Sequence, residues 1–389
     1  MDFVIVGLQP WDIQIGSNCK DIAKELSKSH RVLYVNDPLS RNRAILNRTD
    51  PKVQTRREFL QFSTRSIQQE SNNLWVYNPD TLVESANFLR PHKVFRWVNY
   101  LNNQRFAKSI MKATKALGFQ NYLLFNDNSI YLGFHLKELL KPSKYIYYIR
   151  DNLTKMDFWK YHGERMEPKL IEKADLVVTN SLYYAEMAGA SNPNSHMIGQ
   201  GCDFSLLTTK VEISFPNLKG PVIGYVGFLT SARLSIKLIH ELANKKQDWS
   251  FVLIGPEDDD FKRSSLHSLE NVHFLGAKDV TEISAYIDHF DVCFNPQELN
   301  EVTIGNYPRK IDEYLFCGKP TVATYTKAME YFGEHVSLAK TEDEYIMMIK
   351  KEIETNSLEK KALRRKFAES HSWESSVKLL EEQINAMIS

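Results

Sequence analysis

The densest chemistry in this sequence is the run Pro308-Arg309-Lys310-Ile311-Asp312-Glu313, closed by Gly318-Lys319-Pro320. Pro308 suits the first turn of a helix, where its missing N–H costs nothing, and Gly318 and Pro320 stop it, so a helix is expected over 308–316. A helix dipole favours acids in the first turn, yet Arg309 and Lys310 stand there. That placement is unfavourable for an empty helix and right for one whose N-terminus cradles a diphosphate. Glu313 shares a face with Lys310 and could accept hydrogen bonds from two adjacent ribose hydroxyls. The plainer alternative is a solvated Lys–Glu pair.

Three other loops offer weaker signals. In residues 227–233, Gly227 permits close backbone approach and Arg233 can fork two hydrogen bonds onto phosphate oxygens, or simply be a solvated arginine before a helix. Gly255-Pro256-Glu257 is either a base or ribose edge or a turn into Asp258-Asp259-Asp260. In the first half, the loop from Gly7 to Gly16, Ser17 and Asn18 leads into a helix at Ser17. Its glycines could approach a diphosphate from the opposite side, or form an ordinary turn. Asp151 follows Tyr148-Ile149-Arg150 at a strand end, where it could orient a hydroxyl, act as a base, or cap the next segment.

Short apolar runs alternating with amphipathic stretches are expected to hold these loops in parallel α/β units. Strands are expected at 3–6, 32–35, 74–77, 122–125, 145–149 and 176–179, with helices at 18–27 and 94–117. The rhythm lapses over 206–220, which carries Pro216 and Gly220, and restarts with strands at 222–226, 250–254, 272–275, 292–294 and 321–323. Helices are expected at 236–244 and 281–289. An apolar stripe from Trp373 through Leu380, Ile384 and Met387 marks a last helix. The expected organisation is a first domain over 1–205, a linker at 206–220, a second domain over 221–371, and a final helix over 372–389.

Composition narrows the classes. The 389 residues are 43% hydrophobic and 25% charged, which suits two soluble domains of ordinary size. A formal net charge of +1 argues against a dedicated nucleic-acid binder. Cys19, Cys202, Cys293 and Cys317 form no CxxC pair, so neither a zinc knuckle nor a disulfide framework is indicated. The N-terminus lacks the pattern of a signal peptide and no apolar run is long enough to span a bilayer, so a cytoplasmic protein is expected. Residues 41–65 are rich in arginine and lysine. With Phe59, Phe62, Arg65 and the later Phe95-Arg96-Trp97, they could attract an anionic membrane surface or be a solvated loop.

The run Asn300-Glu301-Val302-Thr303, then Pro308 to Leu315, then Gly318-Lys319-Pro320, resembles the donor segment of GT-B glycosyltransferases of family four, the group 1 class, and among them a bacterial teichuronic-acid or exopolysaccharide-type subgroup. Ile223 to Gly227, residues 249–256, residues 174–179, Gly199 to Asp203 and Trp373 are similar to further segments of that family. The resemblance implies a GT-B fold, with two doubly wound Rossmann-like domains facing a cleft and a C-terminal helix crossing back. It implies transfer of a hexose from a nucleotide sugar, UDP- before GDP-, to a glycan or lipid-linked acceptor, with retained configuration and no metal or other cofactor. Arg233 and Lys310 would hold the donor diphosphate, and Glu313 the ribose. Asn306 and Tyr307 would offer backbone N–H groups to phosphate, and Glu298, Asn300, Glu301 and Thr303 would lie by the transferred sugar. Gly16, Ser17 and Asp151 would face the acceptor. Gly305 stands where many members carry an acid. A nucleotide-sugar epimerase of the same fold and an inactive nucleotide- or carbohydrate-binding protein are the alternatives. A nicotinamide dehydrogenase lacks its GxGxxG run.

Overall fold

The computed structural model describes residues 1–12, 16–61, 66–209 and 211–388. Contacts divide the chain into two compact units, Met1–Gly199 with Ser376–Ser389, and Gln200–Ser375.

The first unit contains β1 (Asp2–Val6), β2 (Arg31–Val35), β3 (Leu39–Ser40), β4 (Ile67–Ser71), β5 (Leu74–Tyr77), β6 (Leu82–Val83), β7 (Leu123–Asp127), β8 (Lys144–Ile149), β9 (Leu176–Thr179) and β10 (Ser195–Met197). Its helices are α1 (Asn18–Leu26), α2 (Arg41–Leu46), α3 (Pro51–Gln61), α4 (His92–Ala116), α5 (Leu136–Leu140), α6 (Asp157–Lys173) and α7 (Leu182–Gly189). The main sheet runs β10-β9-β8-β7-β1-β2-β5-β4. All pairs are parallel except β4 against β5 at the edge. β1 and β7 are neighbours, so the winding reverses between them. Phe3 to Val6 are wholly buried, as expected of a strand covered on both faces. In α1, Cys19, Ile22, Ala23 and Leu26 are buried at helical spacing.

The second unit contains β11 (Val222–Val226), β12 (Ser250–Ile254), β13 (Val272–Gly276), β14 (Val292–Asn295), β15 (Thr321–Thr324) and β16 (Ser337–Ala339). Its helices are α8 (Ile236–Lys245), α9 (Asp259–Lys262), α10 (Ile283–Asp288), α11 (Lys310–Phe316), α12 (Glu342–Glu354) and α13 (Leu358–Glu369). The sheet order is β13-β12-β11-β14-β15-β16, parallel throughout. In order of appearance that is the 3-2-1-4-5-6 winding of dinucleotide-binding folds. A last helix, α14 (Trp373–Ile388), starts in the second unit and ends in the first, where Glu381 Oε1 lies 2.8 Å from His30 Nε2. Among the described residues no helix is long and apolar enough to cross a membrane.

Two expectations change. The helix expected over 308–316 begins at Lys310, with Arg309 at its N-cap. Its first turn therefore holds Asp312 and Glu313 as well as Lys310, and the dipole mismatch read from the sequence is partly offset. The expected helix over 281–289 is a 3-10 turn, Val280–Glu282, leading into α10; a reciprocal Asp279–Glu282 capping box fixes its start.

Candidate functional site

Open parallel sheets bind ligands beyond the carboxyl ends of the strands flanking the reversal in winding. In the second unit those strands are β11 and β14, and their loops are stitched to each other. Ser235 N–H donates to Pro296 O at 2.9 Å and Glu298 N–H to Arg233 O at 2.9 Å. The loop after β12 joins them: Leu229 N–H donates to Pro256 O and Asp258 N–H to Leu229 O, both at 2.9 Å. Gly255 makes this approach possible. Its φ is +145°, and a β-carbon there would stand 1.9 Å from Gly227 O.

Tyr314 is wholly buried and ties α11 to the end of β11, accepting from Val226 N–H at 2.8 Å. Lys310 lies one turn earlier on the same face. Its ammonium donates to the Tyr225 hydroxyl and sits 4.4 Å from that ring's centroid. A β-carbon on Gly227 would come within 3.0 Å of Lys310 Nζ. The half-buried lysine therefore stands at the carboxyl end of β11, and no carboxylate pairs with it among the described residues. The Lys310–Glu313 pair considered from the sequence does not form. Glu313 instead faces Arg309, Oε1 to Nε 3.6 Å.

Several expected contact residues are occupied in building the loop. Asn300 Oδ1 accepts from Val302 N–H at 2.9 Å and Thr303 N–H at 3.0 Å, while its amide donates to Ala232 O at 3.2 Å. Thr303 is wholly buried; its hydroxyl donates to Glu298 O and accepts from Asn300 N–H at 3.1 Å. The Asn306 N–H, expected to meet phosphate, donates to Thr303 O at 2.9 Å. The Asn300–Thr303 turn is the cause: it aims its last carbonyl at Asn306. Tyr307 is buried against His371, its hydroxyl 3.3 Å from Nδ1. Arg233 and Glu301 are exposed and Glu298 is half-buried.

Asp258 ends the β12 loop. Partial burial works against its charge, yet N–H groups of Phe261 and Ser231 hold its carboxyl below the usual range. With Asp259 and Asp260 it caps and opens α9, the favourable end of that helix for acids. Among the described residues no three His, Cys, Asp or Glu side chains are placed to hold a metal ion.

Sequence reasoning missed Asp312. It is wholly buried, 2.7 Å from His371 Nδ1, and burial pushes its carboxyl up to about 6 against the pull of that histidine. It fastens α11 to the chain leading into α14. Periodicity hides such a residue, because an acid in the first turn looks like ordinary dipole complementation.

The first unit has its own reversal point, between β1 and β7. Asp127 ends β7, wholly buried; one carboxylate oxygen accepts from Leu8 N–H at 3.1 Å and the other from Arg150 Nε at 3.0 Å. Arg150 also reaches Asp151 Oδ2 at 3.3 Å. Although burial opposes the charge, Asp127 and Asp151 hold the guanidinium protonated, well above its ordinary value. Asp151, read from the sequence as an orienting group, a base or a cap, thus stands beside a buried cation. Gly16 is exposed; Ser17 is buried at the N-cap of α1 and its side chain makes no capping bond. Residues 13–15 of this loop lie outside the described residues. The reversal-point cluster was legible only in part: Asp127 follows an apolar run and reads as the start of a loop.

Pairing and burial take up part of the stretch 41–65. Arg41 pairs with Glu84 at 3.1 Å and Arg56 with Asp12 at 3.4 Å. Phe59 and Phe95 are buried, so neither is available to a membrane, whereas Trp97 is exposed. Phe62 and Arg65 lie outside the described residues.

With this geometry in place, known proteins supply the comparison. Residues 220–353 match the family described as glycosyl transferases group 1. A Bacillus subtilis (strain 168) protein named for a glycosyltransferase of teichuronic acid biosynthesis, TuaH, is 27% identical over 223 residues. That match spans 53% of this chain and 56% of the relative, so it covers about half the length of the curated protein. Sucrose-phosphate synthase of Thermosynechococcus elongatus superposes with a TM-score of 0.69 at 13% identity, over 100% of this chain and 99% of its own. HepE of Anabaena, solved with UDP-glucose, gives 0.63 at 18% identity, over 99% of this chain and 100% of its own. The group 1 segment spans β11, β14 and α11, the elements that place Gly227 and Lys310. The fold is therefore that of GT-B proteins, two Rossmann-like units, and its residues 220–353 are similar to group 1 glycosyl transferases.

Proposed function

We propose that the protein transfers a hexose from a nucleoside-diphosphate sugar, UDP- before GDP-, to a glycan or lipid-linked acceptor, with retained configuration and without a metal. The observation that carries this reading is Lys310: an ammonium without a carboxylate partner among the described residues, beside Gly227 where β11 ends. Neighbours of the same fold solved with UDP and UDP-glucose support a nucleotide sugar as donor.

In this reading the donor diphosphate lies across the ends of β11 and β14, with Lys310 and Arg233 opposing the charge that grows as the glycosidic bond breaks. Glu313 binds the ribose hydroxyls. Glu298 and Glu301 stand by the sugar, while Asn300 and Thr303 hold the loop that presents them. The acceptor lies in the first unit, where Asp151, beside Arg150, orients the attacking hydroxyl; Gly16 and Ser17 border it. Protein cations at the leaving group remove the need for a divalent ion. The setting is the cytoplasm, with attachment to the inner face of a membrane as the route to a lipid-linked acceptor.

A thermal-shift panel of UDP, GDP and their common sugars, run on wild type and Lys310→Ala, tests the reading. One nucleotide should raise the wild-type midpoint, and the variant should lose most of that rise. A full rise in the variant removes Lys310 from the site.

A further inference from the structure

A cavity of about 270 Å³ opens in the first unit between α4, the segment that enters α5, and α6. Its polar lining holds three cations, Arg96, Arg165 and Lys169, beside Asn99, His92, His135 and His162, and no carboxylate; burial lowers the His135 and His162 rings towards the neutral form. Other cations of this unit do meet acids, Arg41 and Arg105 at Glu84, Lys137 at Asp175, Lys173 at Glu138. Among the described residues Arg96, Arg165 and Lys169 pair with no acid. Like charges gathered around a concave surface repel one another, and their summed potential concentrates anions there.

The local frame fits an anion. Arg165 and Lys169 stand one turn apart on α6, presenting both cations on one face. His92 opens α4, whose first turn carries no acid, so its dipole adds positive potential at the same rim. His92 is fixed by a 2.9 Å contact between its Nδ1 and that of His162. His162 Nε2 lies 2.8 Å from Leu89 O, so that nitrogen carries the proton and donates. His162 is thus a buried orienting group, and His92 the ring it positions. Two exposed aromatics border the cavity: Tyr161 stacks on His92 with centroids 4.8 Å apart, and Tyr100 meets His135 edge-on at 5.1 Å. Trp97, 64% exposed, follows Arg96 on α4.

The geometry points to a phosphate-binding site, taking a phosphate monoester or diphosphate through Arg96, Arg165 and Lys169, distinct from the donor site of the second unit. Guanidinium and ammonium groups suit such an anion, Arg by its fork and Lys as a point charge. The exposed aromatic rim suits a phosphate carried at a lipid surface, where amphipathic rings settle. A soluble diphosphate would satisfy the cations equally, and the test separates these sources.

The full chain is compared with a double variant, Arg165→Ala with Lys169→Ala, both at exposed positions. A control double variant, Lys93→Ala with Lys108→Ala, removes the same charge outside the cavity lining. Each is titrated calorimetrically with inorganic pyrophosphate, and cosedimented with phosphatidylcholine vesicles with and without phosphatidic acid. Wild type should bind at least one phosphate probe, and the cavity variant should bind it about tenfold or more weakly, while the control stays within about twofold of wild type and both keep their nucleotide-induced thermal shift. Pyrophosphate binding that the cavity variant loses identifies a soluble source. Binding to phosphatidic acid vesicles without pyrophosphate binding identifies a lipid headgroup. No binding of either probe by wild type, unchanged binding in the cavity variant, or equal loss in the control overturns the site. Because the nucleotide shift is read in the same samples, failure here is separable from failure of the donor-site reading.

Discussion

The two reversal points share one winding and differ in how they treat charge. Beyond β1 and β7 the cation is buried and matched: Arg150 is held by Asp127 and Asp151. Beyond β11 and β14 the cation is half-buried, and its partner is the neutral hydroxyl and ring of Tyr225. A matched buried pair fixes local structure, whereas a cation held by a neutral group keeps its charge for an incoming anion. Topology alone makes both places candidate sites; the pairing of charge tells which one should receive phosphate.

The largest effect should come from breaking the matched cluster. Asp127→Ala leaves Arg150 buried beside the weaker partner Asp151, and should destabilise the chain by about 3–5 kcal/mol in urea unfolding. A loss under 1 kcal/mol would mean that the pair contributes little to the first unit. The unmatched site should show the opposite pattern. Lys310→Ala should lower turnover at saturating donor by about 100-fold or more, with unfolding stability changed by less than about 0.5 kcal/mol. If it unfolds the second unit instead, Lys310 is a structural residue and the contrast fails.

A smaller effect concerns Glu167, which accepts from the Tyr147 hydroxyl at 2.9 Å and the Asn128 amide at 3.0 Å. Burial pushes its carboxyl up to about 7, against those two donors. A carboxyl raised in the folded state gives stability that is complete below its unfolded value near 4.5 and is lost as pH rises through about 7. Glu167→Gln should therefore be more stable than wild type at pH 8 by about 1–3 kcal/mol, with the difference vanishing near pH 4. A variant that is less stable at pH 8 would show that the charge is accommodated. Smallest of all, Asn300→Ala should cost about 1 kcal/mol by removing the turn bonds to Val302 and Thr303, and should raise the KM for donor more than it lowers kcat. An equal loss in kcat would make Asn300 a direct contact.

The strands flanking both reversal points were readable because residues buried on two faces are continuously apolar, as in Val222 to Val226 and Phe3 to Val6. The helix α6 was not, since Gly163 and Pro168 interrupt it and both are poor helix residues. Within the candidate site, Lys310 and Gly227 were legible from residue type and position. The occupation of Asn300, Thr303 and Asn306 was not, because a turn's internal hydrogen bonds depend on backbone geometry that spacing does not reveal. Asp127 and Asp312 escaped for a related reason: a wholly buried acid is defined by its partners, Arg150 and His371, which lie far along the chain.

A structure of the full chain with UDP bound tests the central claim most directly. A β-phosphate oxygen within about 2.7–3.2 Å of Lys310 Nζ, with the Tyr225 hydroxyl displaced as its partner, is the predicted result. UDP seated away from the ends of β11 and β14, with Lys310 still on Tyr225, would contradict it.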